Sequence, residues 1–446
     1  MVLASTIVFR GAWLVTQDDS RRVFRGDLLL KGDRIQAVDE HIPEKADREI
    51  DARKFAIVPG FVNAHTHVAN ALLRGVADER DFAGFLDTMF TWDARRTPAD
   101  LEAGAYLGIA EMLLGGSTSF LDMYYGEDLV AGAARRMGMR AFLGWAVLDP
   151  EITTQKGVPV ENAREFIHRW GGDPLVTPLV APQGVYACRE ETWHKARELA
   201  EREGTLLHYH LSETREEVEG NRERTGLRPV EWLDRIGFLG ERQVAAHAVW
   251  LTNHEIDLLS RRHVATVHCP ASNMKLASGG GGVAPVPEMR AAGIPVALGT
   301  DSSTSNNGTS LLREMHLAAL AQKHHRHDAR SLPAQVVLDM ATREGARALH
   351  REPDLGRIAP GSLADLVLFD LTHPSLVPSR PESLVSHIVY SATESAIHSV
   401  YVAGEPVVQE GRILRVSRDE ITEKAQQAAH DLFGREGSKE PSGSSP

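Results

Sequence analysis

Two histidines separated by one residue, His65 and His67, directly follow the apolar segment 57–64. In an extended strand, residues two apart point to the same face, so both imidazoles can reach one metal ion. Imidazole is the commonest protein ligand for zinc, and it also suits iron. Because the chain holds 20 histidines, two solvated histidines at a strand end are an equally good interpretation of this pair alone. The pair therefore indicates a metal site only if further ligands follow other strands.

Further ligand-type side chains do follow later apolar segments. His208 and His210 lie at the end of one such segment, and Glu213 comes three residues after His210. Three other segments end in the side chains of His247, His268 and Asp301. Short apolar segments separated by helix-like stretches are typical of strands in a buried parallel sheet. Polar residues at the carboxyl ends of such strands are typically catalytic in a (β/α)8 barrel, so the pattern predicts a metal-dependent hydrolase.

Length and composition agree with a large enzyme. The 446 residues suit a barrel of about 250 residues together with a second unit. The net charge of −12 argues against nucleic acid as a partner, and two cysteines are too few for a disulfide framework. No signal peptide is recognisable, and no apolar run reaches the ~18 residues needed to cross a bilayer. We therefore expect a cytoplasmic enzyme, a homo-oligomer with no membrane partner, that acts on a small molecule.

Three patterns along the chain predict its domain organisation. Residues 1–56 and 355–416 contain short alternating segments with tight turns, as antiparallel strands do. Residues 57–354 alternate strands with amphipathic helices, as βα units do. The predicted fold class is α/β, with a (β/α)8 barrel inserted into a β-sandwich built from both chain ends. Residues 417–446 are expected to form a terminal helix and a disordered tail.

One helix has both of its ends marked in the sequence. Thr97 is a preferred N-cap residue, and Pro98 suits the first helical turn. Gly115 and Gly116 follow the apolar periodicity and end it. The sequence therefore predicts a helix between Pro98 and Gly115.

Several longer motifs occur together along the chain. They are residues 59–67, 72–75, 116–118 with 122–124, 210–214, 268–276, 299–301 with 305–307, and, beyond the predicted barrel, 360–367 and 402–404. In these motifs the chain resembles the amidohydrolase superfamily. Within it, the chain is similar to the ATZ/TRZ branch, which holds s-triazine hydrolases and S-adenosylhomocysteine/methylthioadenosine deaminases. The resemblance covers nearly all of the chain except its C-terminal end.

This resemblance implies roles for individual residues. One divalent metal ion, zinc or else iron, would be bound by His65, His67, His210 and Asp301. Such an ion lowers the pKa of water toward neutrality and makes hydroxide available. Asp301 would accept the proton of that water, and Glu213 would carry a proton to the ring nitrogen of the substrate. His247 would orient the hydroxide or polarise the developing tetrahedral centre. Judged by its charged neighbours alone, Glu213 is better interpreted as a solvated carboxylate.

Other residues near these motifs have less specific interpretations. His208 points to the same face as His210, and we expect a buried, hydrogen-bonded histidine rather than a ligand. His268 is a candidate for a residue directly behind the metal ligands, and a role unrelated to the metal is equally compatible with its position. The segment 175–180 has no lysine that could be carboxylated to bridge two metal ions, so a single ion is expected.

Positions that would contact substrate depart from the nucleoside deaminases of this branch. Their ribose-binding Glu is missing from the segment 91–96, where Asp93 is at best a displaced substitute. These deaminases usually carry an arginine on the strand where this chain has Trp145. They also usually carry a histidine after the fourth strand, where this chain has Gln183. Trp92 and Trp145 could stack on a flat heterocycle and Gln183 could bind its edge, while both tryptophans also suit ordinary packing.

The expected function is hydrolytic deamination of an aminated N-heterocycle, with a methylthioadenosine- or S-adenosylhomocysteine-like nucleoside as the first candidate. Glu213 and His247 would then also contact the ring. The alternative is displacement of chloride or a thioether from a triazine, or hydrolysis of a pyrimidine or pterin, by the same hydroxide. A non-catalytic scaffold of this fold is least expected, because the hydrolytic residues are complete. Without the Arg, S-adenosylhomocysteine should be no better a substrate than methylthioadenosine.

Overall fold

A computed structural model describes residues 5–280 and 282–435 of the chain. The N-terminal strands are β1 (Thr6–Val15), β2 (Val23–Lys31), β3 (Arg34–Asp39), β4 (Arg48–Asp51) and β5 (Phe55–Pro59). β1 is antiparallel to β2, and β2 is antiparallel to β3. The first half of β1 runs parallel to β4 and its second half runs parallel to β5. Gly32, in the turn between β2 and β3, has a φ of +60°, a conformation that favours glycine.

The second group of strands forms the barrel. They are β6 (Phe61–His67), β7 (Ser117–Tyr124), β8 (Arg140–Val147), β9 (Val176–Pro182), β10 (Leu207–Leu211), β11 (Gln243–His247), β12 (Ala265–His268), β13 (Val296–Leu298) and β14 (Asp301–Ser302). The first helices of this region are α1 (Phe82–Asp93), α2 (Pro98–Leu114), α3 (Glu127–Met137), α4 (Pro159–Trp170), α5 (Glu190–Glu203), α6 (Arg215–Thr225) and α7 (Pro229–Arg235). They are followed by α8 (Asn253–Arg261), α9 (Pro270–Lys275), α10 (Val286–Ala291), α11 (Leu311–Arg326), α12 (Ala334–Ala341) and α13 (Arg343–Ala348). A 3-10 helix, Val68–Leu73, directly follows β6.

The barrel sheet closes on itself through an interrupted eighth strand. β6 to β13 are hydrogen-bonded in parallel, in chain order, and β14 pairs in parallel with β6. Only Gly299 and Thr300 separate β13 from β14, so the two short strands act as one. A Cβ on Gly299 would lie 2.9 Å from Cβ of His65, so this close approach of the eighth strand to the first requires glycine. β10 to β13 are buried at every residue, as in a sheet covered by helices.

Both ends of the chain meet in one further sheet. The C-terminal elements are β15 (Leu366–Asp370), α14 (Pro381–Tyr390), β16 (Ile397–Val402), β17 (Glu405–Gln409), β18 (Arg412–Ile413) and α15 (Arg418–Gly434), with 3-10 helices at Pro374–Leu376 and Glu394–Ala396. β15 is antiparallel to β5, which joins the two ends in the order β18-β17-β16-β15-β5-β1-β2-β3, with β4 on β1. The predicted α/β barrel with a β unit from both chain ends is confirmed, and that unit is one continuous mixed sheet.

The terminal region is described only in part. α15 packs against α2, and Arg435 donates to the carboxylate of Asp100 on that helix. The tail that we predict to be disordered lies, beyond Arg435, outside the described residues. Among the helices of residues 5–280 and 282–435, none is both long and apolar enough to cross a membrane.

Candidate active site

The predicted metal ligands converge at the carboxyl ends of the barrel strands. They are His65 and His67 at the end of β6, His210 in β10 and Asp301 at the start of β14. Nε2 of His65 and Nε2 of His67 lie 3.3 Å and 3.2 Å from Oδ1 of Asp301. Nε2 of His210 lies 3.2 Å from Nε2 of His67. Because parallel strands end at the same edge of a barrel, side chains far apart in sequence come within reach of one ion.

Backbone carbonyls fix the proton position on two of these rings. His67 Nδ1 donates to the carbonyl of Met123 at 2.5 Å, and His210 Nδ1 donates to the carbonyl of Gln183 at 2.7 Å. A carbonyl oxygen only accepts, so the ring proton of each neutral imidazole is on Nδ1. The two Nε2 atoms therefore face each other with lone pairs at 3.2 Å, and neither can donate to the other. Such an arrangement suits a cation between them.

His65 and Asp301 complete a donor set that fits a divalent metal ion. Nε2 of His65 is buried and has no hydrogen-bond partner among the described residues. It faces Oδ1 of Asp301, and Oδ2 of the same carboxylate accepts hydrogen bonds from Ser272 at 2.6 Å and Ser305 at 3.0 Å. Three imidazole nitrogens and one carboxylate oxygen are ligands that first-row divalent ions take. A divalent metal ion would satisfy the buried polar atoms at this site.

The backbone is strained at two of these strand ends. His247 has a φ of +74° and Asp301 a φ of +59°, in the left-handed region that side chains other than glycine rarely adopt. Each such residue costs roughly 1–3 kcal/mol, and strained residues of this kind cluster at functional sites. The hydrogen bonds that Ser272 and Ser305 donate to the carboxylate of Asp301 help to hold this residue in its unusual conformation.

Glu213 and His247 lie beside the ligands. Oε2 of Glu213 is 3.5 Å from Nε2 of His247, and Ser278 Oγ donates to Oε1 of Glu213 at 3.4 Å. Burial, together with the negative charges of Asp301 and Glu217, raises the pKa of Glu213 well above its usual range. Burial also lowers the pKa of His247 to about 3. Burial thus favours the protonated form of Glu213, and because only 4% of the residue is exposed, the alternative of a solvated carboxylate is wrong.

The remaining predicted histidines are both buried. His208 lies below the ligands, with Nε2 2.8 Å from Nδ1 of His65. This placement agrees with the expected buried, hydrogen-bonded residue. His268 ends β12, and burial lowers its pKa to about 4. Within the described residues neither of its ring nitrogens has a hydrogen-bond partner, so it does not orient a ligand through a direct hydrogen bond.

A pocket opens above this group, and we call its floor the metal end. The metal end consists of His65, His67, His210, Glu213, His247 and Asp301, of which all but the deeper His65 line the pocket. One side, the α1 wall, consists of Phe82, Phe85, Leu86, Met89 and Phe90. Other apolar or aromatic lining residues are Tyr124, Tyr125, Ala146, Leu148 and Tyr186. The polar ones are Asn70, Asp93, Thr153, Thr154, Gln183 and Ser302. No lysine or arginine is among the lining residues in the part of the chain that the structure describes.

The structure corrects the prediction that Trp92 and Trp145 stack on a substrate. Trp92 lies beside the pocket-lining face of α1, in a hydrophobic cluster with Met89 and Leu432, and its ring packs 4.9 Å from that of Phe433. In β8, Ala146 lines the pocket, so its neighbour Trp145 points to the other face of the sheet. Nε1 of Trp145 donates to Gln155 at 2.8 Å. Neither tryptophan lines the pocket, whereas Gln183 does.

A polar network that the sequence did not reveal holds one pocket carboxylate. Tyr124 Oη donates to Asp93, lying 2.6 Å from both carboxylate oxygens. The buried guanidinium of Arg96 donates to Asp93 at 3.0 Å and to the side-chain oxygen of Asn70 at 2.6 Å. Asn70 Nδ2 in turn donates to Ser302 Oγ, next to Asp301, at 3.2 Å. Asp93 and Asn70 are therefore fixed acceptors at the pocket surface, connected to the metal end.

Asp122 is a second residue that sequence reasoning missed. Its Oδ1 accepts from Thr66 Oγ1 at 3.0 Å and from the backbone N–H of Val68 at 2.6 Å. The two donors flank His67, so this carboxyl group fixes the backbone on both sides of a predicted ligand. The signal was present in the sequence, because Asp122 lies near the end of an apolar strand, as the other site residues do.

Comparison with known proteins agrees with this geometry. Residues 56–407 match the model of the amidohydrolase family. The chain is 39% identical to a 5′-deoxyadenosine deaminase of Methanothrix thermoacetophila, over 92% of this chain and 96% of that protein. It is 38% identical to a 5-methylthioadenosine/S-adenosylhomocysteine deaminase of Thermodesulfovibrio yellowstonii, over 95% of this chain and 98% of that protein.

Two solved structures are similar along nearly the whole chain. A zinc-bound adenosine deaminase from Xanthomonas campestris superposes with a TM-score of 0.91 at 31% identity, covering 96% of this chain and 98% of that one. An atrazine chlorohydrolase from Arthrobacter aurescens, complexed with zinc, has a TM-score of 0.86 at 26% identity, covering 95% and 100%.

Proposed function

The chain belongs to the amidohydrolase family, and from that premise we propose that it is a metal-dependent deaminase of an adenine-type nucleoside. One observation carries the proposal. Glu213 and His247, 3.5 Å apart, lie beside imidazole nitrogens of His65, His67 and His210 and the carboxylate of Asp301, which approach one another within 3.2–3.3 Å. The names of similar proteins, which are deaminases of adenosine and its derivatives, support an adenine-type nucleoside as the substrate.

We propose zinc as the bound ion. The ligands would be His65, His67, His210 and Asp301, a nitrogen-rich set of a kind that zinc commonly takes. The zinc in two similar structures supports this choice over iron. When bound, the ion lowers the pKa of a water molecule toward neutrality and so supplies a nucleophile at physiological pH.

The side chains around the ligands can manage the protons of a deamination. Water adds its oxygen to the ring carbon that carries the amino group, and the bond to the amino nitrogen then breaks to release ammonia. The protonated Glu213 would give its proton to the adjacent ring nitrogen, which makes that carbon more electrophilic. Asp301 would take one proton of the attacking water and pass it to the departing amino group, and the second proton of that water would return to Glu213 as the carbonyl of the product forms. His247 would donate from Nε2 to the oxygen on which charge develops.

The pocket walls support a nucleoside with an uncharged 5′ end. The aromatic rings of Tyr124, Tyr125 and Tyr186 offer flat contacts for a purine, and the α1 wall offers apolar contacts for a 5′ substituent. The fixed acceptors Asp93 and Asn70 would accept hydrogen bonds from ribose hydroxyl groups, and Gln183 would contact the edge of the base. The carboxylate of S-adenosylhomocysteine finds no cationic partner on the described pocket walls. We therefore propose 5′-deoxyadenosine, methylthioadenosine or adenosine as substrates.

Ammonia release from a substrate panel tests this function. The zinc-loaded protein would be given 5′-deoxyadenosine, methylthioadenosine, adenosine, S-adenosylhomocysteine, a pterin, an aminopyrimidine and a chlorotriazine. We expect ammonia and the inosine-type product from the uncharged nucleosides. Chloride release from the triazine without ammonia from any nucleoside would instead favour the ring-dehalogenation chemistry named for the similar chlorohydrolase.

A further inference from the structure

Two residues outside the ligand set contact ring nitrogens of two histidines at the metal end. Nε2 of His208 lies 2.8 Å from Nδ1 of His65, and Nδ2 of Asn273 lies 3.1 Å from Nδ1 of His247. The two histidines are at most 1% exposed, His208 is fully buried and Asn273 is 7% exposed, so little water competes for these contacts. A hydrogen bond at one ring nitrogen decides whether the other carries the proton.

His208 makes His65 a ligand. Nδ1 of His208 lies 2.8 Å from the carbonyl oxygen of Val244, which can only accept. The proton of neutral His208 is therefore on Nδ1, and its Nε2 accepts. His65 must then donate from Nδ1, which leaves its Nε2 with a free lone pair. The buried Nε2 of His65, without a hydrogen-bond partner in the described chain, is in the state that a metal ion requires.

Asn273 has the opposite effect on His247. The amide nitrogen of Asn273 donates to Nδ1 of His247, so that nitrogen accepts and the ring proton lies on Nε2. That N–H points into the site, where Nε2 is 3.5 Å from the carboxyl group of Glu213. His247 is thereby a hydrogen-bond donor and has no lone pair to offer an ion.

The positions of His65 and His247 alone do not tell which of them binds the metal ion. The rings of His65 and His247 are 5.3 Å apart, and nitrogens of both lie within 4.8 Å of one another together with a nitrogen of His210. Either imidazole is thus close enough to coordinate the same ion. The difference between a ligand and a donor comes from the partner on Nδ1.

We propose that His208 and Asn273 are positioning residues that impose opposite tautomers on His65 and His247. His208 would act on metal affinity, and Asn273 on the reaction. The part played by Asn273 in the reaction rests on the proposed deaminase function, whereas the effects of both residues on metal binding do not.

The His208 contact is tested by zinc affinity in competition with a chelator. His208→Gln keeps an acceptor within reach of His65, whereas the similarly sized His208→Leu removes it. We expect the Leu variant to bind zinc about 10- to 100-fold more weakly, and the Gln variant to recover most of that loss. If His208→Leu does not fold, His208→Asn, which can still donate to Val244 but is too short to reach His65, should show the same loss. The proposal would be overturned if His208→Leu or His208→Asn bound zinc as tightly as the unmodified protein. It would also be overturned if His208→Gln bound zinc as weakly as these two variants.

The Asn273 contact is tested by Asn273→Asp, which keeps the shape of the side chain. A carboxylate accepts from Nδ1 of His247 and so moves the ring proton away from Nε2. We expect kcat to fall by about 10²-fold with KM nearly unchanged, while zinc affinity is no lower than in the unmodified protein. An unchanged kcat, or zinc affinity lowered as in His208→Leu, would contradict the proposed role. If the unmodified protein deaminated nothing, the proposed function would fail, and both zinc titrations would still decide the tautomer proposal.

Discussion

The metal end and the α1 wall of the same pocket are built in different ways. At the metal end each side chain has fixed polar partners, such as the carbonyls of Met123 and Gln183 and the hydroxyls of Ser272 and Ser305. The α1 wall is a row of apolar side chains on one face of one helix, Phe82–Asp93, which also presents Phe90 partly to solvent. Hydrogen bonds specify direction, while apolar packing tolerates changes of shape.

This contrast assigns chemistry and specificity to different parts of the fold. The metal end is held by strand ends that the whole barrel keeps in place, so its substitution should abolish the reaction. Under the proposed function, the α1 wall and Asp93 at the end of that helix would contact the ribose and its 5′ substituent. Substitutions there should change which nucleoside is used while leaving the reaction intact.

The largest effect is expected from loss of a ligand. His65→Ala or Asp301→Ala removes one of four ligand atoms from a site that needs all of them, so bound metal and turnover should both disappear. Metal content by elemental analysis and ammonia release are the measurements, and His254→Ala, an exposed histidine in α8, is the matched control. Full metal occupancy and rate in either ligand variant would show that the ligand assignment is wrong.

A smaller loss is expected for Glu213→Gln. The amide keeps the shape and the hydrogen-bonding reach but cannot give up the proton, so kcat should fall by about 10²-fold or more with metal retained. Glu216→Gln, an exposed neighbour in the same segment, should leave kcat unchanged. A normal rate in a metal-loaded Glu213→Gln enzyme would remove this residue from the proton path.

Asp93→Asn tests the boundary between the two regions. The substitution removes the negative charge that would accept ribose hydroxyls, and kcat/KM for a nucleoside should fall by about tenfold or more. Asp87→Asn changes an exposed carboxylate of the same helix and serves as control. Equal kcat/KM values for Asp93→Asn, Asp87→Asn and the unmodified enzyme would exclude a role for Asp93 in substrate binding.

The α1 wall should decide the preference for the 5′ substituent. S-adenosylhomocysteine is expected to have a kcat/KM no higher than methylthioadenosine, because its carboxylate lacks a partner. Leu86→Arg supplies a cation on the wall and should shift the ratio of the two kcat/KM values toward S-adenosylhomocysteine by roughly tenfold, whereas the uncharged Leu86→Gln should not. A strong preference of the unmodified enzyme for S-adenosylhomocysteine would mean that an arginine binds the carboxylate of this substrate, which contradicts the pocket lining described above.

The smallest effects are expected at the two tryptophans. Trp92→Phe and Trp145→Phe should change kcat/KM by less than about twofold, because neither ring lines the pocket, while the free energy of unfolding falls by about 1 kcal/mol. Steady-state kinetics and denaturant unfolding separate the two quantities. A large rise in KM with an unchanged free energy of unfolding would show that Trp92 or Trp145 contacts the substrate after all.

The sequence predicts that the side chains of the metal end converge, because simple geometric rules apply to them. Histidines two apart at a strand end must share a face, and parallel strands must bring their ends together. The helix predicted after Thr97 is also confirmed, since α2 spans Pro98–Leu114 and Thr97 forms a capping box with Asp100. The shared face and the helix cap depend on neighbours within a few residues, whereas the convergence of the strand ends follows from the barrel fold.

The pocket wall is harder to predict because its orientation depends on distant contacts. Trp92 packs against Phe433, near the C-terminus, and does not line the pocket. Asp93, at the end of α1, faces the pocket and is held there by Arg96 and by Tyr124, which comes from β7. In α1, with aromatic residues on more than one face, periodicity alone does not tell which face meets the barrel.

The most direct test of the account is a zinc titration of the stripped protein with ammonia release from methylthioadenosine as the readout. Chelator-treated protein should be inactive, and activity should rise linearly with added zinc until one equivalent per chain is bound. Stripped protein that deaminates as fast as the zinc-loaded form, or fully loaded protein that releases no ammonia from any adenine nucleoside, would contradict the account.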